Sequence, residues 1–234
     1  MRGEGDATVE TRVWDLPTRL FHWALALTLV GSFLTVRAHD MRLHALCGYT
    51  ALTLVLFRIL WGLFGSESAR FASFLRGPRA AFRHLRALIA GRPDHETTHN
   101  ALGGWAVLLM LALVLAQAVT GLFANDDILF RGPLFPLAGK ELSDRLTTLH
   151  YRISDLLLAV VILHVVVVLA YRLAGHQLIE AMVTGVKRLP AGTRAPRLAG
   201  PAPSGRSSTC WLRAASTSVE TAPGIPCGHH HAHA

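Results

Sequence analysis

Four long apolar stretches alternate with polar segments along the chain. A bilayer core of about 30 Å needs roughly 20 apolar residues in a helix to cross it, and each stretch is close to that length. The first stretch follows a polar segment and has no small-residue cleavage site after it, so we expect a span and not a cleaved signal peptide. The pattern predicts an all-α fold, an integral-membrane four-helix bundle with spans at about 20–36, 43–64, 102–123 and 149–171.

The composition favours a membrane protein over a soluble one. The 234 residues are 51% hydrophobic and 16% charged, whereas a soluble domain carries roughly 25% charged residues. The net charge of +8 fits either a nucleic-acid surface or the excess of Arg and Lys that membrane proteins keep on the cytoplasmic side. The sequence lacks basic patches interleaved with aromatic residues, so we expect lipid and not nucleic acid as the partner.

The positions of the basic residues predict the orientation. Outside the spans, 16 basic residues fall on one side of the bundle and 5 on the other. The positive-inside rule then places both termini in the cytoplasm. In a bacterial inner membrane, loops 37–42 and 124–148 would face the periplasm, and segment 125–147, which is rich in Gly and Pro, is expected to fold over the outer face as a loop.

The chain changes character after the last span. From residue 189 to 234, Pro, Gly, Ser, Thr and Ala dominate without periodicity, which predicts a disordered cytoplasmic tail. The membrane domain is therefore expected to cover residues 11–188. Between spans two and three, segment 78–90 has the pattern of a short amphipathic helix, either on the membrane surface or in solvent.

Four histidines at or within the spans are the residues that suggest chemistry, because ionisable side chains in a membrane are costly and usually functional. Two of them share span four and are 14 residues apart. This spacing falls about 40° short of four full turns and corresponds to about 21 Å along the axis, so both project from nearly one face. The four are His22, His44, His150 and His164.

These histidines form two pairs at matching depths. His44 and His150 begin spans on the predicted periplasmic side, and His22 and His164 lie near the predicted cytoplasmic ends. Two facing imidazoles from separate helices can supply both axial ligands of a haem iron. The sequence has no Cys-x-x-Cys-His, which excludes covalent attachment. Two non-covalent b-type haems with bis-His ligation are expected; the alternative is a haem-free membrane anchor or scaffold subunit, whose histidines only bridge helices.

Three arginines lie at the depths where haem propionates would need cations. Arg19 is three residues before His22, Arg58 is 14 residues after His44, and Arg152 directly follows Tyr151 on span four. The alternative to propionate binding is that these side chains snorkel to the membrane interface. This alternative explains Arg58 least, because Arg58 lies deeper in its span than the other two. Gly48 and Gly121 remove side-chain bulk where a macrocycle or another helix could approach. His99 could contact a propionate or a quinone, although a structural role at the start of span three is favoured.

Several segments resemble one family. Val-Trp-Asp-Leu-Pro-Thr-Arg-Leu-Phe-His-Trp (13–23), Leu-His-Ala-Leu-Cys-Gly-Tyr (43–49), Phe-Arg-Ile-Leu-Trp-Gly (57–62) and Ala-Met-Val-Thr-Gly-Val-Lys-Arg (181–188) are similar to segments of the bacterial cytochrome b561 and nickel-iron hydrogenase b-type cytochrome family. The resemblance implies four transmembrane helices holding two b haems, and the four histidines match the family's ligand positions.

The same resemblance implies a function in respiratory electron transport. Family members pass electrons between the membrane quinone pool and a redox partner such as a hydrogenase, a c-type cytochrome or superoxide. A stand-alone oxidoreductase and an electron-transfer subunit of a larger enzyme both stay open.

Overall fold

The computed structural model describes residues 8–75, 77, 79–80, 82–83, 86, 101–190 and 193–199. The described residues all belong to one compact unit. In chain order the elements are β1 (Thr8–Arg12), α1 (Leu16–Arg37), α2 (Met41–Phe64), α3 (Phe71–Phe74), α4 (Ala101–Gly121), α5 (Phe135–Leu173), α6 (Leu178–Thr184) and β2 (Val186–Pro190).

The four predicted spans are confirmed as helices that are long and apolar enough to cross a membrane: α1, α2, α4 and α5. Their outward faces carry large exposed apolar side chains such as Leu27, Phe64 and Leu163. Soluble proteins rarely expose contiguous apolar surfaces of this extent. The protein is therefore embedded in a membrane, with these faces against lipid.

The bundle packs around one apolar core. α1 packs on α2, α2 on α4 and α4 on α5, so helices that follow one another in sequence are neighbours in space. Each of the four long helices contributes to the buried cluster. Its members are Phe21, Ala51, Val55, Leu111, Val114 and Leu157.

Aspartates begin the first two long helices. The side chain of Asp15 accepts a hydrogen bond from the backbone N–H of Thr18 at 3.0 Å, and that of Asp40 accepts one from Leu43 at 3.0 Å. Both bonds satisfy an amide that the first helical turn leaves unpaired. Residues 38–40 connect α1 to α2, with His39 in the left-handed region at φ 58°.

The expectation of a loop over 125–147 is wrong. α5 begins at Phe135, and Gly139 at φ 69° interrupts it after one turn before the helix continues through the membrane. The charges in this segment stabilise helix, since Lys140 pairs with Asp144 and Arg145 with Glu141 at a spacing of four. α5 therefore projects beyond the bundle, and residues 122–134 fold against its extension.

A two-stranded antiparallel ribbon lies at the end of the bundle where α1 begins. Strands β1 and β2 pair from Thr8 opposite Pro190 to Arg12 opposite Val186. The ribbon extends two residues past the boundary expected at 188, and residues 193–199 contact the turn after α2. The remainder of the predicted tail lies outside the described residues. So does most of segment 78–90, of which the described residues 79, 80, 82, 83 and 86 are helical.

Candidate functional site

The structure brings His44 of α2 and His150 of α5 together; we call them the outer pair, after the predicted orientation. Their ring centroids are 6.2 Å apart and the ring planes are at 89°. A metal ion bound between two imidazoles by bonds of about 2 Å leaves the ring centres about 6 Å apart. The spacing of the outer pair fits a single metal ion between the two rings.

Backbone carbonyls fix the tautomer of both rings. Nδ1 of His44 lies 3.1 Å from the carbonyl oxygen of Ser32, and Nδ1 of His150 lies 2.9 Å from that of Gln117. A ring nitrogen that faces a carbonyl must donate, so Nε2 keeps its lone pair in each neutral imidazole. A carbonyl on the second nitrogen is also the usual support of a metal-bound histidine.

Gln117 and Thr120 on α4 complete the surroundings of His150. The hydroxyl of Thr120 lies 3.2 Å from Nδ1, and the side-chain amide nitrogen of Gln117 lies 3.0 Å from Nε2. That amide donates to the lone pair a metal would use, so it would have to turn aside for a metal to bind there. Gln117 and Thr120 are polar residues in an apolar span. This signal is present in the sequence, but the prediction from the histidines did not include it.

Two glycines shape the space at the outer pair. A Cβ on Gly121 would lie 3.1 Å from Cε1 of His150, so this glycine lets the ring lie against α4. A Cβ on Gly48, one turn after His44, would meet nothing within 4 Å. Open space beside a ligand residue is what a flat macrocycle requires. The close approach expected from the sequence is therefore seen at Gly121, and nothing approaches Gly48 within 4 Å.

We call His22 of α1 and His164 of α5 the inner pair, after the predicted orientation. His164 lies close enough to His22 for the two rings to interact electrostatically. Nδ1 of His22 is buried and has no hydrogen-bond partner among the described residues. A buried ring nitrogen left unpaired is costly.

The three predicted arginines differ in their surroundings. Arg58 is 3% exposed, its guanidinium lies 5.0 Å from the ring centre of Phe71, and its Nη1 is unpaired within the described part of the chain. Arg19 donates from Nη1 to the carbonyl of Val183, and its buried Nε has no described partner. Arg152 is exposed on α5. The structure thus brings two of the three towards the inner end, each with donor capacity to spare.

A buried carboxylate that the sequence reasoning missed lies beside this region. Asp15 is 3% exposed. Besides capping α1, it accepts hydrogen bonds from the indole N–H of Trp61 at 2.8 Å and from the hydroxyl of Ser66. It also interacts electrostatically with Arg58. Its place directly before an apolar helix suits a cap; only the fold shows what else it contacts.

The donor set fits a b-type haem better than a bare metal ion. Within the described residues, no three His, Cys, Asp or Glu side chains group so as to hold a metal. A protein that offers only two imidazoles leaves the other four positions of an iron to a porphyrin. The buried unpaired donors of Arg58 and Arg19 suit the carboxylates that such a macrocycle carries.

Four membrane helices with partly buried histidine pairs and no covalent attachment motif define a membrane b-type cytochrome. The family model for prokaryotic cytochrome b561 matches residues 13–185, and the chain belongs to that family. Membership implies binding of b-type haem and a role in electron transfer, so the interpretation as a haem-free anchor is not retained. No curated protein and no solved structure matches the chain.

Proposed function

We propose that this protein is a dihaem cytochrome that transfers electrons across the membrane between the quinone pool and a redox partner. His44 and His150 hold the outer haem, and His22 and His164 hold the inner one. The observation that carries the proposal is the outer pair: two rings 6.2 Å apart, each with its Nδ1 facing a backbone carbonyl.

The side chains of this protein hold and tune the two sites. Haem, when bound, supplies an iron that exchanges one electron between its ferric and ferrous forms. His150 and His164 fix the two sites on one rigid helix, about 21 Å apart along its axis. Arg58 and Arg19 supply positive charge at the inner end, where it would bind propionates and favour the reduced state.

The partners and the orientation belong to the same proposal. The count of 16 basic residues against 5 supports cytoplasmic termini in a bacterial inner membrane. Quinone is the proposed lipid-soluble partner, and a hydrogenase or a c-type cytochrome is the proposed partner at the outer face. His99, which the sequence suggested near a quinone or propionate, lies outside the described residues, so Arg58 is the residue that supports an anionic or quinone ligand at the inner end.

Haem content tests the ligand assignment. A pyridine haemochrome assay on purified protein should give two haems b per chain for the wild type and one for His150→Ala or His44→Ala. His39→Asn is the matched control, because His39 is an exposed histidine at the same end and Asn tolerates its positive φ; it should keep both haems. Less than one haem per wild-type chain, or two in His150→Ala, would contradict the assignment.

Reduction by a quinol tests the partner. A short-chain quinol added to detergent-solubilised wild type should give the α-band of ferrous haem without another reductant. If only dithionite reduces the protein, quinone is not its partner.

A further inference from the structure

Asp15 is a charged side chain that the proposed electron path does not use. All the contacts described for its carboxylate come from donors: the amide of Thr18, the indole N–H of Trp61 and the hydroxyl of Ser66. An ionised carboxylate accepts hydrogen bonds and donates none. The surroundings therefore suit a negative charge, and Asp15 and Arg58 are the two charged side chains that are buried among the described residues.

The hydroxyl of Ser66 both donates and accepts. It donates to Asp15, and its oxygen accepts from the amide of Ala199 at 2.8 Å. Glu67 next to it exchanges two hydrogen bonds with Arg197, at 2.9 Å and 2.8 Å. Residues 193–199 thus hold the turn after α2 in the position that directs Ser66 towards the carboxylate.

Asp15 caps the start of α1, the helix that carries His22. His22 follows it by seven residues, which corresponds to about 10 Å along the helix axis. Thr18, between them, is 6% exposed. Arg58 reaches the same region from α2 and interacts electrostatically with Asp15. One negative and one positive charge, both buried, therefore lie together at the end of the bundle where the helix that carries His22 begins.

A capping role alone does not account for this arrangement. Asp40 caps α2 in the same way, through one bond to Leu43 at 3.0 Å, and is only partly buried. A serine would also cap a helix, without the cost of burying a charge. The additional donors from α2 and from the turn after it instead hold a full negative charge at a defined place.

We propose that Asp15 is a positioning residue that holds a negative charge beside Arg58 and thereby lowers the reduction potential of the haem held by His22 and His164. The inference rests on the proposed ligand pairs. Reduction adds an electron to the site, and a buried negative charge opposes it while a buried positive charge favours it. Asp15 and Arg58 therefore act in opposite directions on the same site.

Redox titration of single-haem protein tests the inference. In a His150→Ala background, which keeps the inner haem, Asp15→Asn should raise its midpoint potential, because Asn removes the charge while remaining a good helix cap. Arg58→Gln should lower the potential, and the double variant should return towards the parent value. A merely structural role would not give shifts of opposite sign that cancel.

Three controls separate charge from structure. Asp40→Asn alters the equivalent cap and should leave the inner potential unchanged. Trp61→Phe removes a donor to Asp15 and keeps the charge, so it should not raise the potential. In a His164→Ala background, which keeps the outer haem, Asp15→Asn should have a much smaller effect than at the inner haem.

The outcomes distinguish this inference from the function it rests on. If His150→Ala protein binds no haem, the ligand assignment fails and the inference fails with it. If the protein binds one haem and Asp15→Asn leaves its potential unchanged or lowers it, the dihaem proposal stands and the role of Asp15 is refuted. A rise that Asp40→Asn reproduces also refutes it.

Discussion

Gly62 leaves the space into which the ring of Phe71 packs. A Cβ at this position would lie 2.5 Å from Cζ and 2.7 Å from Cδ2 of that ring, and closer still to Cε2. Carbon atoms in contact are about 3.5–4.0 Å apart. In Gly62→Ala the ring must therefore move by more than 1 Å or rotate away, and it leaves the guanidinium of Arg58, 5.0 Å from its centre.

The expected cost follows from three opposing effects. Loss of a largely desolvated cation–π contact costs about 1–2 kcal/mol, and partial exposure of a phenylalanine costs about 1 kcal/mol. Replacing a helical glycine by alanine gains about 1 kcal/mol. The net destabilisation is about 1–2 kcal/mol, which corresponds to a fall of about 2–8 °C in melting temperature for a chain of this size.

Thermal unfolding in detergent at a fixed scan rate measures this effect. Gly31→Ala is the matched control, because its Cβ would meet only Sγ of Cys47, at an ordinary 3.4 Å, and it should not lower the melting temperature. In a Phe71→Ala background, Gly62→Ala should become neutral or stabilising, since the ring it displaces is gone. A single Gly62→Ala variant as stable as the wild type would refute the steric reasoning.

Two further predictions concern the outer end. In Gly121→Ala the new Cβ would lie 3.1 Å from Cε1 of His150, so the ring must shift. The outer haem should then dissociate about 2- to 10-fold faster in a haem-transfer assay, which corresponds to a loss of up to about 1.4 kcal/mol in binding free energy. An unchanged dissociation rate would contradict this prediction. Backbone amides, that of Ile128 first, hold the pKa of Asp126 below its ordinary value. The loop is therefore fully stabilised at pH values above the ordinary pKa of an aspartate. It loses protection from hydrogen exchange as the pH falls through the lowered pKa of Asp126. Asp126→Asn should remove this dependence on pH.

The histidines show how far periodicity alone reaches. Spacing on one helix predicted that His150 and His164 share a face, and depth predicted which ring of another helix each would meet. The structure places His44 and His150 within contact. The supporting groups could not be derived in this way, because the carbonyl oxygens of Ser32 and Gln117 belong to a backbone that every residue has.

The segment 125–147 shows where composition misleads. Its glycines and prolines favoured a loop, yet Gly139 only interrupts a helix that its charge pairs then continue. Short-range signals of opposite sense compete in such a segment. The helical part of the segment packs against residues 122–134, where the side-chain amide of Asn125 donates to the hydroxyl of Ser143 at 2.6 Å. This packing decides in favour of the helix.

The sequence by itself determined that the chain crosses a membrane four times and that His150 and His164 share one helix face. Both properties follow from local periodicity: 20 or so apolar residues must be helical in lipid, and 3.6 residues per turn fixes the shared face. Only the tertiary structure decided the partners of Asp15 and Arg58. A buried charge is stabilised by groups from other elements, here Trp61, Ser66 and Phe71, and no pattern along the chain records which distant residues folding brings to it.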